Sequence, residues 1–93
     1  MSADLKVERD FTVNSELGLH ARPAGRFAQQ AARYACEISV GRGDEWVDAR
    51  SVLSLLSLAA GPGVTLRLRA EGKDAEEAVA TLGRLLEDPH GDE

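Results

Sequence analysis

What most constrains this chain is the way its apolar residues change period. Leu5, Val7, Phe11 and Val13 alternate with Lys6, Glu8, Asp10 and Thr12, the repeat of a strand with one dry and one wet face. Arg9 interrupts the dry side. After Asn14-Ser15-Glu16-Leu17-Gly18-Leu19 the repeat becomes helical. Ala24, Phe27, Ala28, Ala31 and Ala35 form one stripe and Arg22, Arg26, Gln29 and Arg33 the opposite one, which predicts a helix over 21–34. Pro23 falls in its first turn, where a missing N–H costs nothing. Cys36, Ile38 and Val40 return to alternation. A turn at Gly41-Arg42-Gly43-Asp44 and a short strand over 46–49 complete a hairpin. A very apolar helix is predicted over 51–60, closed by Gly61-Pro62-Gly63. Val64, Leu66, Leu68 and Ala70 then make the cleanest alternation in the chain. Asp74 with Glu77 reads as a capping box opening a last helix, lined by Ala75, Ala78, Val79, Leu82, Leu85 and Leu86. The order β-α-β-β-α-β-α, with strands wet on one side, defines an α+β two-layer sandwich: an antiparallel sheet with helices over its dry face.

A length of 93 residues accommodates one domain over 1–93, with a core over about 5–86 and a flexible acidic tail over 87–93 that carries His90. Aromatic residues are 4% of the chain, so Leu, Val and Ala must fill the core. The net charge of −5 argues against non-specific nucleic-acid binding, which depends on neutralising phosphates with Lys and Arg. Cys36 is alone, so an internal disulfide is excluded and a small core residue is expected; two His and one Cys do not make a closed zinc site. No apolar run approaches a membrane span, and Met1-Ser2-Ala3-Asp4 is not a secretory start, so a cytoplasmic location without membrane insertion is expected. Metal and cofactor are expected to be absent. Nothing resembles a nucleotide-binding glycine loop, and no second catalytic carboxylate stands beside His20, so the chain does not read as a self-sufficient enzyme.

One segment joins a nucleophile to an anion site: His20-Ala21-Arg22-Pro23. A neutral imidazole is a good nucleophile near neutral pH. At a helix start it stands beside backbone N–H groups, here those of Ala21 and Arg22, that favour an anion. Arg22 adds a planar cationic fork suited to phosphate oxygens. The alternative is an ordinary helix cap at His20 and a solvated Arg22. In the second helix, Leu55, Leu58 and Ala59 form one apolar stripe, and Val52, Leu53 and Leu56 form another across a gap at Ser54 and Ser57. Either the second stripe is an exposed partner-binding patch or both stripes are buried.

Gly18-Leu19-His20-Ala21-Arg22-Pro23-Ala24 resembles the active-site signature of the histidine-containing phosphocarrier (HPr) family of the bacterial phosphoenolpyruvate-dependent sugar phosphotransferase system. The segment from Arg50-Ser51-Val52 to Leu58 resembles that family's regulatory-serine region. The resemblance implies an open-faced sandwich with sheet order 1-4-2-3 and three helices on one side, acting as a monomer. It implies that His20 accepts a phosphoryl group on Nδ1 from phosphorylated enzyme I, with Arg22 neutralising it, and passes it to enzyme II A components. It makes Ser51 the candidate site of an HPr kinase/phosphorylase where the organism has one, and Val52, Leu53, Leu56, Arg26 and Arg50 the docking surface, with a transcriptional regulator as a further partner. Two other roles fit: a regulatory phosphocarrier of nitrogen type, and an unphosphorylated adaptor. Departures from the family pattern are Gly25, Ser54, arginines as the basic residues of the docking face, and the acidic tail.

Overall fold

A computed structural model describes residues 5–88. The elements are β1 (Lys6–Thr12), α1 (Ala21–Ala31), β2 (Glu37–Arg42), β3 (Glu45–Asp48), α2 (Val52–Ser57), β4 (Thr65–Glu71) and α3 (Ala75–Glu87). The strands form one antiparallel sheet in the order β1-β4-β2-β3, as the resemblance implied. Its register explains the alternating sequence. Val7, Ala70 and Ile38 share one row, and Arg9, Leu68, Val40 and Val47 the next, so the dry residues of all four strands lie on one face. Phe27 of α1, Leu55 of α2 and Leu82 of α3 close over that face beside Leu66 and Leu68, each less than 2% exposed. Burying side chains of this size contributes about 1.5–3 kcal/mol apiece.

Arg9, the residue out of pattern, stays on the covered side but at the sheet edge, where its guanidinium reaches Glu76 of α3 at 2.9 Å. The opposite face is solvated. Glu8 meets Arg69, and Asp10 meets Arg67, directly across the β1–β4 pairing at 2.8 Å each. Arg69 also lies 3.9 Å from the centre of the Trp46 ring, which covers Gly41. Trp46 is half-buried at the hairpin; Cys36 is buried in the core, as expected.

Several boundaries differ from the sequence expectation. α1 ends at Ala31 rather than 34, because Arg33 and Tyr34 donate to Gln30 and Ala31 in tighter turns; Ala35 is exposed. β2 continues through Arg42, leaving only Gly43 and Asp44 in the turn. α2 stops at Ser57, and Ala59 leaves it exposed at φ 51°. The capping box at Asp74 does not form. Asp74 has φ 70° and no side-chain cap bond, whereas a capping side chain needs extended backbone to reach the first-turn amides. The tail was expected to begin at 87, yet Glu87 closes α3. Asn14 ties that end down, its N–H on the Leu86 carbonyl at 3.1 Å and its Nδ2 on the Glu87 carbonyl at 2.9 Å. Asp88 follows as the C-cap, its N–H on the Arg84 carbonyl at 2.7 Å, and the expected tail from 89 on, with His90, lies outside the described residues.

Candidate functional site

The chain before α1 is pinned at successive residues. Gly18 N–H donates to Ser15 at 3.0 Å, and Leu19 N–H donates to the Ala60 carbonyl at 2.8 Å while its side chain enters the core. Gly18 adopts φ 73°, and a Cβ there would lie 2.5 Å from the Ala60 oxygen and 2.7 Å from the Gly61 Cα. Only glycine allows both the left-handed backbone and this approach to the 60–61 segment. His20 follows as the N-cap of α1, with extended backbone at φ −91°.

The His20 imidazole makes no capping hydrogen bond and is partly exposed. The helical ladder begins with Ala24 N–H on the His20 carbonyl at 2.9 Å. Helical geometry therefore leaves the Ala21 and Arg22 amides without intrahelical acceptors, and Pro23 has no N–H to satisfy. The first turn holds no acidic side chain, so nothing within it neutralises the positive end of the helix. Arg22 is exposed on that turn. The arrangement offers a nucleophilic nitrogen, two amide donors and a guanidinium to an anion.

Beside it runs a shallow groove of about 610 Å³ between α1 and the start of α2, lined by Ala21, Arg22, Gly25, Arg26, Arg50 and Val52 among others. Three cations thus share this groove with Val52 and the small alanines of the α1 face, starting at the residue after the histidine. Arg50 is held in place, its Nη2 donating to the Cys36 carbonyl at 2.8 Å and its N–H to Asp48 at 2.9 Å. Ser51 is the N-cap of α2, and its Oγ accepts from Ser54 N–H at 3.2 Å. The two alternatives for the second apolar stripe each hold in part. Leu53 is 81% exposed, whereas Val52 and Leu56 are half-buried and pack against the core.

Two features beside this segment were missed from sequence. Arg42 reaches from β2 to the Leu58 and Ala59 carbonyls at 2.8 Å each, satisfying the end of α2. A lone arginine in a turn gives no sign of that reach. Leu17, immediately before Gly18, is 74% exposed; an apolar residue in a polar loop was the available signal. Cys36 takes no part in the site: burial, the largest influence on it, pushes its thiol above the usual range. Among the described residues no group of three or more His, Cys, Asp or Glu could hold a metal, and no helix is long and apolar enough to cross a membrane.

A small open-faced sandwich that carries an uncapped histidine at a helix start is the architecture of one class of phosphoryl carriers, and comparison with known proteins agrees. Residues 7–88 match the family described as "PTS HPr component phosphorylation site". The phosphocarrier protein HPr of Pseudomonas aeruginosa is 42% identical over 78 residues, 83% of this chain and 87% of that protein. The phosphocarrier protein NPr of Shewanella violacea is 39% identical over 82 residues, 88% of this chain and 90% of that protein. A crystal structure of HPr from Thermoanaerobacter tengcongensis superposes with a TM-score of 0.86 at 37% identity, covering 94% of this chain and 98% of that one. A structure titled an HPr dimer from the same organism gives 0.72 at 38% identity, covering 85% and 91%. The chain belongs to the HPr family of phosphocarriers, which works within the phosphotransferase system.

Proposed function

We propose that this chain accepts a phosphoryl group on His20 from phosphorylated enzyme I and hands it to enzyme II A components, in the cytoplasm and as a monomer. The lone pair of His20 Nδ1 forms the new bond to phosphorus as the donor's bond to phosphorus breaks and the donor keeps that electron pair; the return step reverses this on the acceptor. The Ala21 and Arg22 amides and the Arg22 guanidinium take the charge of the phosphoryl oxygens, so positioning and electrostatics supply most of what the transfer asks of the protein. The observation that carries this reading is the uncapped imidazole on a helix turn with two unbonded amides and no acid. Arg22, Arg26 and Arg50 around Val52 suit partners that are acidic around an apolar centre, bound briefly as a shuttle needs.

Incubation with enzyme I and phosphoenolpyruvate should produce an acid-labile, base-stable phosphoryl adduct that His20→Ala abolishes. An unlabelled wild-type chain refutes the reading. If His20→Ala leaves the cellular role intact, the exposed Leu53 favours the adaptor role instead. Similarity to a protein named NPr favours a regulatory branch as the second reading; phosphorylation by one enzyme I paralogue and not another decides between them. Ser51 is proposed as the site of an HPr kinase/phosphorylase, which would have to displace the Ser54 N–H from Oγ. Mass mapping after treatment with that kinase and ATP tests it, and an unmodified Ser51 leaves only the cap.

A further inference from the structure

α2 ends on a turn that its sequence disfavours. Leu58 is the C-cap, and Ala59 follows at φ 51°, in the left-handed region where helices are usually closed by glycine. Ala59 N–H donates to the Leu56 carbonyl at 3.0 Å. The carbonyls of Leu58 and Ala59 take their bonds from outside the helix: Arg42 Nη1 donates to both, at 2.8 Å each. These carbonyls belong to the two planar peptide units that flank the Ala59 Cα, and φ and ψ of Ala59 set the angle between those units. One nitrogen binding both oxygens therefore clamps the left-handed turn. The next carbonyl, that of Ala60, accepts from Leu19 N–H at 2.8 Å, and Ala60 and Gly61 carry the backbone atoms against which Gly18 is packed. Leu19 leads directly into His20.

We infer that Arg42 is a positioning residue for His20. Its guanidinium holds Ala59 left-handed, and through the Ala60 carbonyl that turn fixes where the imidazole stands over the first-turn amides of α1. The inference rests on the proposed phosphocarrier role and adds a residue to it. Without Arg42, Ala59 is free to relax toward the right-handed or extended backbone that an L residue prefers. The Ala60 carbonyl would shift with it, and Leu19 N–H would lose or lengthen its bond. Phosphoryl transfer depends on positioning, so a small displacement of the nucleophile slows the reacting step. Docking should be spared, because Arg42 does not line the groove beside His20. The loss should therefore fall on kcat and not on KM. Ala59→Gly should undo it, since glycine adopts the left-handed turn without being held.

The test measures steady-state transfer from phosphorylated enzyme I to wild type, Arg42→Met, Ala59→Gly and the variant carrying both, each at a temperature where it is folded. Hydrogen exchange of the Leu19 amide is followed alongside by NMR. Arg42→Met should lower kcat about tenfold, keep KM within about twofold and speed Leu19 exchange. In the double variant kcat should return to within about threefold of the Ala59→Gly value, the mark of two residues acting on one turn. Arg9→Met, which removes an arginine at the β1 edge, should match wild type in both constants. An unchanged kcat in folded Arg42→Met overturns the inference, because Arg42 then only stabilises the fold. A raised KM at constant kcat also overturns it, making Arg42 a docking charge, and so does a double variant no faster than Arg42→Met. If Arg42→Met does not fold, Arg42→Gln, which keeps an N–H donor on a shorter side chain, takes its place in the same comparison. These results leave the phosphocarrier role standing. Failure of the wild-type chain to take a phosphoryl group removes both.

Discussion

Substituting Gly18 by alanine tests whether backbone geometry at one residue sets the position of His20. Two costs add there. An alanine held at φ 73° loses about 1–2 kcal/mol relative to glycine. Its methyl would also sit 2.5 Å from the Ala60 oxygen and 2.7 Å from the Gly61 Cα, both backbone atoms with no rotamer to escape into. Forcing such an approach costs about 1–3 kcal/mol in packed interiors. Gly18→Ala should therefore destabilise the domain by about 2–5 kcal/mol, which at about 4–8 °C per kcal/mol lowers the melting temperature by roughly 10 °C or more. Gly43→Ala isolates the first cost, since Gly43 has φ 61° but open space around the missing Cβ. It should lose only about 1–2 kcal/mol. Gly25→Ala reverses the sign, because Gly25 lies inside α1 with nothing within 4 Å of the added atom. It should gain about 0.5–1 kcal/mol from helix propensity. Urea unfolding of the three variants measures all of these. A Gly18→Ala variant no less stable than Gly43→Ala would refute the close approach to the 60–61 segment and, with it, the account of how the histidine is held.

The Asp10 carboxylate is held below its ordinary range chiefly by its hydrogen bond to Arg67. A depressed folded-state value adds stability above the unfolded-state value and loses it as pH falls through the folded one. The stability gap between wild type and Asp10→Asn, followed by urea unfolding, should thus be open at neutral pH and close in acid. Asn14→Ala removes the bond to the Glu87 carbonyl and should cost about 0.5–1.5 kcal/mol, with hydrogen exchange accelerated in the last turn of α3. Cys36, buried and with its thiol raised chiefly by desolvation, should react with a thiol reagent only on unfolding, so native protein labels slowly and urea-treated protein at once. A raised value also means that Cys36 contributes stability below its unfolded-state value and loses it as pH rises through the folded one, which unfolding in alkali would follow.

The layers, the identity of most core residues and the seven-residue segment around His20 were legible from sequence because each is a local pattern. Alternation in Val64, Leu66, Leu68 and Ala70, or helical spacing in Ala24, Phe27, Ala28 and Ala31, reports which face is dry without reference to any partner. The ends of elements were not legible. Whether α2 stops at 57 or 60, or α3 at 86 or 87, depends on carbonyls taken by distant groups, Arg42 at the end of α2 and Asn14 at the end of α3. Asp74 and Glu77 carried the right spacing for a capping box, but the turn out of β4 imposes a left-handed backbone on Asp74 and withdraws its side chain.

The sequence by itself determined the α+β class and the chemical groups available at the start of α1, since side-chain period and residue identity are properties of the chain alone. Tertiary structure decided where those groups stand. Packing of the helices on the sheet and on one another turned Arg9 from an interruption into a bridge to Glu76, divided the second apolar stripe into an exposed Leu53 and half-buried neighbours, and brought Arg50 to one groove with Arg22 and Arg26. These are contacts between residues far apart in the chain, and their existence depends on packing that no local pattern encodes.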